Sequence, residues 1–271
     1  MHKKQHHILA HILLRILLAL FSLPLITLIA TTNVSAATTN SASPQQYLAL
    51  GDSLAFGFQP NGDFQHGYAV DLFQKLQAQQ HFDKFVDLGC PGETSSSFIH
   101  GICPFPEPPP SQLADALAYL KLNAKTTGLI TLQIGANDIL SAINPATCAT
   151  NVDVFNTHLA TLDDNLTQII LPQLHKAIKE HHTRLALIEY YNPFQPFCPN
   201  TTSFIHELNN HLEEDAEGYA QAIDIFNAID QTDALVCQLT WICSTPPDIH
   251  PNSQGYQVIA ERIYDEIFDD D

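Results

Sequence analysis

Tyr47-Leu48-Ala49-Leu50-Gly51-Asp52-Ser53-Leu54-Ala55 is the stretch whose reading decides the fold. A short apolar run that breaks on Gly-Asp-Ser reads as a buried strand delivering a serine onto a tight turn. That turn sits at the carboxyl edge of a sheet, the edge where open α/β folds place their ligands. Ser53 is therefore the candidate nucleophile. Turns favour Gly, Asp and Ser for conformational reasons alone, so the assignment depends on what the rest of the chain brings to the same edge.

Downstream, Val70, Leu72, Phe73 and Leu76 recur at helical period within residues 68–80. Residues 85–89 form a second expected strand, which ends in Cys90-Pro91-Gly92-Glu93-Thr94. The proline-rich residues 104–110 are too rigid for helix and are expected to wall the site. Ser111 caps an expected helix that buries Leu113, Leu117 and Leu120. A third strand, 129–134, stops at Gly135-Ala136-Asn137-Asp138. An amphipathic segment, 152–181, follows, with Pro172 expected to kink it. A fourth strand (185–190), a helix (202–220), a fifth strand (222–226) and a closing helix (253–268) complete the pattern. Nearly all-apolar strands alternating with helices predict a parallel α/β sheet covered on both faces. No internal repeat is present, and residues 47–271 are expected to form one domain.

The first 36 residues carry Lys3, Lys4 and Arg15 without an acid, then an apolar run over 16–30, then Val34-Ser35-Ala36. This is the pattern of a secretory signal cleaved after Ala36. A membrane anchor needs about 20 apolar residues, and this run is shorter and interrupted by Ser22 and Pro24. Residues 37–46 read as a mobile leader, and Asp269-Asp270-Asp271 as a solvated tail. Removing the signal takes the formal charge from −18 to −21. A surface that acidic repels phosphate backbones and anionic bilayers. Nucleic acid is thereby excluded as a partner, and a lipid substrate would be met through apolar contacts. A secreted monomer is expected, touching a membrane only through its signal.

All six cysteines follow the signal, and an even number in an exported chain predicts disulfides. Proximity along the chain favours Cys90 with Cys103, Cys148 with Cys198, and Cys237 with Cys243. No close Cys-x-x-Cys pair supports a metal site.

A serine hydroxyl needs a base to become nucleophilic. The best placed histidine is His250, in Pro246-Pro247-Asp248-Ile249-His250-Pro251, just before the last helix. His81, His158, His175, His181 and His182 fall in positions typical of surface or satisfied core residues, while His66 and His100 lie in loops within reach of the site. Donors for a developing oxyanion are Gly92, Asn137 and the Ser53 N–H, all at strand ends on one edge. His206 and His211 are five apart, whereas zinc-binding helices need them four apart. No metal or cofactor is expected.

Gly51-Asp52-Ser53-Leu54, Gly92, Gly135-Ala136-Asn137-Asp138 and His250-Pro251 together resemble the four blocks of the GDSL, or SGNH, hydrolase family, in order and at fitting separations. The resemblance implies a three-layer α/β/α flavodoxin-like fold with strand order 2-1-3-4-5, and metal-free hydrolysis of ester or thioester bonds. It implies Ser53 as nucleophile, His250 as general base, and Ser53, Gly92 and Asn137 as oxyanion donors. One departure stands out: the family's acid precedes the histidine by three residues, whereas here Asp248 precedes it by two and Pro247 occupies the usual place. Either Asp248 or the Pro247 carbonyl then orients the imidazole. The larger α/β-hydrolase class is excluded, because it wants Gly-x-Ser-x-Gly in mid-chain. The substrate expected is a small-molecule or lipid ester, with Trp241 and residues 194–197 as candidate walls of an acyl pocket. The reading from another class is a non-catalytic carbohydrate- or surface-binding module on the same fold.

Overall fold

The computed structural model describes residues 45–101, 103 and 111–268. The expected signal, the leader up to residue 44, the proline-rich loop and the acidic tail lie outside the described residues. From the amino terminus come β1 (Gln45–Gly51), α1 (Ser53–Phe56), α2 (Tyr68–Gln79), β2 (Phe82–Asp87), α3 (Ser95–His100), α4 (Gln112–Asn123) and β3 (Thr127–Gln133). Next are α5 (Ala136–Ile139), the short hairpin strands β4 (Ile143–Asn144) and β5 (Ala149–Thr150), α6 (Val152–Asn165), α7 (Leu171–Ile178) and β6 (Arg184–Ile188). The chain continues through α8 (Thr202–Ala216), β7 (Gln221–Ile223), α9 (Phe226–Ile229), α10 (Asp233–Leu239) and α11 (Ser253–Phe268).

Five strands make one parallel sheet in the order β2-β1-β3-β6-β7. Counting the strands of this sheet alone, that is the expected order 2-1-3-4-5. The chain leaves β1 for β2 on one side and returns to β3 on the other, which opens a crevice at the carboxyl ends of β1 and β3. Gly51 at the end of β1 pairs with Gln133 at the end of β3. The two strands therefore stop at one level, and the segments carrying Ser53 and Asn137 leave the sheet side by side.

Helices cover both faces, because both faces of these central strands are apolar. Leu48, Leu50, Leu129, Ile130 and Leu132 are fully buried, each stabilising the fold by roughly 1.5–3 kcal/mol. α2 buries Tyr68, Ala69, Leu72 and Leu76 and packs on α11, while α4 packs on α7.

Several boundaries differ from those read in the sequence. β1 starts at Gln45, two residues inside the expected leader, because Gln45 and Gln46 already pair with β2 and β3. β2 begins earlier than expected, at Phe82, and β7 stops at Ile223. Between α6 and α7 the kink expected at Pro172 takes the form of a π-helical segment, Leu166–Ile170, with the proline in the first turn of α7. Its missing N–H thus falls where the regular ladder is already interrupted. The helices α3, α9 and α10 and the β4–β5 hairpin were not expected. Disulfides join Cys90 to Cys103, Cys148 to Cys198 and Cys237 to Cys243. Among the described residues no helix is long and apolar enough to cross a membrane.

Candidate active site

The turn that carries Ser53 is built by close backbone contact. Gly51 has φ +130°, and a Cβ there would lie 1.9 Å from the Gln133 carbonyl oxygen, so only glycine lets β1 end against β3. Asp52 then caps α1: its Oδ1 accepts the Leu54 N–H at 2.9 Å, and its Oδ2 accepts the Tyr190 hydroxyl at 2.6 Å. The Asp52 carboxyl is wholly buried. Burial pushes its pKa up to about 6, against the opposing pull of the Tyr190 and Leu54 hydrogen bonds. Gln112, the first residue of α4, clamps the same turn. Its Oε1 accepts from Gly51 N at 2.6 Å, and its Nε2 donates to Gly51 O and to Glu93 Oε2, each at 3.0 Å.

Ser53 opens α1 with its Oγ 2.8 Å from His250 Nε2. On the other side of the ring, His250 Nδ1 lies 2.7 Å from Asp248 Oδ1, which also accepts the His250 backbone N–H at 2.9 Å. The side chain of Asp248, and not the Pro247 carbonyl, occupies the position beside Nδ1. The hydrogen bond from His250 holds the Asp248 carboxyl below the usual carboxylate range. With the Asp248 carboxylate as acceptor at Nδ1, it is the other ring nitrogen, Nε2, that faces the Ser53 hydroxyl. The histidine loop is itself tied down. Tyr191 donates its hydroxyl to Ile249 O at 2.5 Å, Trp241 N donates to His250 O at 2.9 Å, and the Cys237–Cys243 bridge joins α10 to this loop. Neighbouring tyrosines at the end of β6 thus brace both halves of the pair, Tyr190 through Asp52 and Tyr191 through Ile249.

Gly92 has φ +86°, a conformation glycine adopts without strain, in the turn tethered by Cys90–Cys103. Asn137 lies in α5, directly beyond β3, and its Nδ2 donates to Glu93 O at 2.9 Å. That bond uses one amide hydrogen and ties α5 to the Gly92 turn; an amide carries a second. Asp138 strengthens the same junction by accepting Ser95 N at 2.9 Å and Ser95 Oγ at 2.6 Å. Ser53, Asn137 and His250 border one small cleft open to solvent; Gly92 does not line it. Its remaining wall is mainly apolar, with Ile139, Leu140, Phe194, Ile205 and Ile249. Of the aromatic walls expected, only Phe194 takes part. Phe197 is exposed, and the Trp241 indole N–H reaches Gln59 instead.

Five other histidines have partners away from the Ser53–His250 pair. His66 pairs with Asp63, His158 with Asp138 O, His175 with Tyr219 O and His211 with Asp163, while His206 packs on Phe226. Among the described residues the group spaced like metal ligands, Cys90, Glu93 and Cys103, has both sulfurs in a disulfide.

A profile of the GDSL-like Lipase/Acylhydrolase family matches residues 49–258, from β1 into the closing helix. The chain belongs to this family. Solved structures of GDSL-type and related hydrolases share its fold. The lipase Lip_vut3 from a goat rumen metagenome is 20% identical with a TM-score of 0.64, over 83% of this chain and 98% of that one. A catalytic mutant of Axe2, an acetylxylan esterase from Geobacillus stearothermophilus, is 16% identical at 0.51, over 83% and 94%. TesA is 16% identical at 0.52, over 83% and 99%. No curated protein sequence matches the chain. As a GDSL-like acylhydrolase, the protein is a serine hydrolase acting on ester bonds.

Proposed function

We propose that the protein is an exported carboxylic esterase working through an acyl-enzyme on Ser53, with His250 as general base and Asp248 orienting it. The observation that carries this reading is the unbroken chain Asp248 Oδ1, His250 Nδ1, His250 Nε2, Ser53 Oγ, at 2.7 and 2.8 Å. As Oγ attacks the ester carbonyl, Nε2 takes its proton, and the imidazolium that forms is balanced by Asp248. The carbonyl oxygen becomes negative and is met by the Ser53 N–H and by the second amide hydrogen of Asn137, both of which border the cleft. Collapse breaks the bond to the alcohol oxygen, which leaves with the proton from Nε2. Water then enters, gives a proton to Nε2, attacks the acyl carbon and releases the acid with Ser53 restored. The apolar cleft favours hydrocarbon acyl groups over charged ones. The lipase and esterase names of the compared structures agree with this reaction class, and three disulfides fit an oxidising, extracytoplasmic destination.

The test is turnover of chromogenic esters from acetate to palmitate by wild type and Ser53→Ala. Wild type is expected to hydrolyse a bounded range of chain lengths, and the variant to lose about 10⁴-fold or more in kcat. Equal turnover by the two would eliminate the reading, and hydrolysis by neither would favour the non-catalytic module.

A further inference from the structure

His250 has a second neighbour that the cleft does not use. α1 ends at Gly57, and the backbone N–H of Phe58 donates to Ser53 O at 2.9 Å. The Phe58 ring then lies 4.7 Å from the imidazole of His250. Phe64, six residues on, places its ring 5.4 Å from Phe56 and 6.2 Å from Phe58, yet remains 41% exposed. None of the three lines the acyl cleft.

The loop that presents this ridge is pinned at both ends. A Cβ on Gly57 would lie 2.6 Å from Gly67 Cα, so the two backbones touch where the loop opens and closes. Within it, Asn61 Oδ1 accepts Asp63 N and Asp63 Oδ1 accepts Gln65 N, each at 3.0 Å. Gln59 Nε2 donates to Asp63 O and His66 O at 3.2 Å. Several polar groups of the loop are thus engaged with one another, and Phe64 is the exposed aromatic ring among them, with Phe56 and Phe58 half-buried beneath it. An exposed phenylalanine on a braced loop forfeits burial that folding would otherwise gain, which is intelligible if a ligand covers it.

We propose that Phe58 and Phe64 form an alcohol-side subsite that holds an aryl or arylalkyl group on the leaving oxygen of the ester. The inference rests on the esterase reading above. His250 Nε2 is the atom that returns the proton to the leaving oxygen, so the alcohol departs beside the imidazole. The cleft borders one part of His250 and the Phe58 ring another, which gives the acyl chain and the alcohol separate places. A ring on the alcohol would meet Phe64 and Phe58 in tilted or edge-to-face contact, the arrangement aromatic pairs prefer.

The experiment compares kcat/KM for benzyl butyrate and ethyl butyrate, which share an acyl group, on the full-length protein. In Phe64→Ala the benzyl-to-ethyl ratio is expected to fall by roughly threefold to tenfold, and to recover in Phe64→Trp. Leu122→Ala, 83% exposed on α4, is expected to keep the wild-type ratio. An unchanged ratio in Phe64→Ala overturns the subsite. A change in butyrate-to-hexanoate preference at a fixed alcohol assigns the ridge to the acyl side and also overturns it. Loss of turnover on acetylated sugars alone transfers it to carbohydrate, with the same result. Wild-type turnover no greater than that of Ser53→Ala removes the esterase reading itself, an outcome separable from a failure of the subsite alone.

Discussion

At the residue scale the proposed chemistry depends on one imidazole held from two sides. Asp248 Oδ1 accepts both the backbone N–H and the Nδ1–H of His250, so the short Asp-x-His spacing makes a turn that closes on itself. A carboxylate whose pKa is lowered by that hydrogen bond stays ionised through the neutral range. Asp248→Ala is therefore expected to lower kcat by about 10⁴-fold in a steady-state ester assay. A loss below about tenfold would pass the orienting role to a backbone carbonyl. Ser53, His250 and Asn137, which border the cleft, were legible in the sequence because each stands at a strand or loop end, in a local pattern that turn chemistry explains, whereas Gly92, read from the same kind of pattern, lies outside the cleft lining. Gln112, Tyr190 and Tyr191 were not legible. Their bonds to Gly51, Asp52 and Ile249 span 58 to 138 positions, and nothing in their neighbourhoods marks them. Asp52 was in plain view as a turn residue, but its burial and its bond to Tyr190 exist only after β6 has joined the sheet.

At the scale of elements, hydrophobic pattern found what it is able to find. β1 and β6 read as strands because four consecutive apolar residues leave no polar face, and β3 because Leu129, Ile130, Leu132 and Ile134 crowd one short run. α11 was read with both ends correct, Ser253–Phe268, since sixteen residues carry a full periodic stripe. α3, α9 and α10 span four to seven residues, which is under two turns and too short for a 3.6-residue period to show. α3 did leave one trace, Thr94 three residues before Ser97, whose side chains and backbone cap each other. The short β7 was over-read because Ile225 and Phe226 are also apolar. They are buried beyond the strand, where the chain turns into α9.

For the whole molecule, charge matters as much as topology. Burial raises Asp52 and Asp71 to about 6 and Asp87, Glu189, Asp215 and Asp230 to about 7. A raised carboxyl pKa means that the folded state binds more protons than the unfolded one between the unfolded and folded values. The stability it contributes is present at low pH and lost as pH rises through about 6 to 7. Self-repulsion of a chain with net charge −18 acts in the same direction, while the lowered Asp63 and Asp248 oppose it. The expected result is a melting temperature several degrees higher at pH 5.5 than at pH 8, read by calorimetry. A flat or rising profile would show that these carboxyls are better solvated than the structure indicates. The same global arrangement brings positions 53 and 250 together from opposite ends of the sheet's chain order, and that meeting is the central claim. Its most direct measurement is covalent labelling with a fluorophosphonate followed by peptide mass mapping. The account predicts one modified residue, Ser53, and loss of the label in His250→Ala. Labelling of another serine, or undiminished labelling of Ser53 without His250, would contradict it.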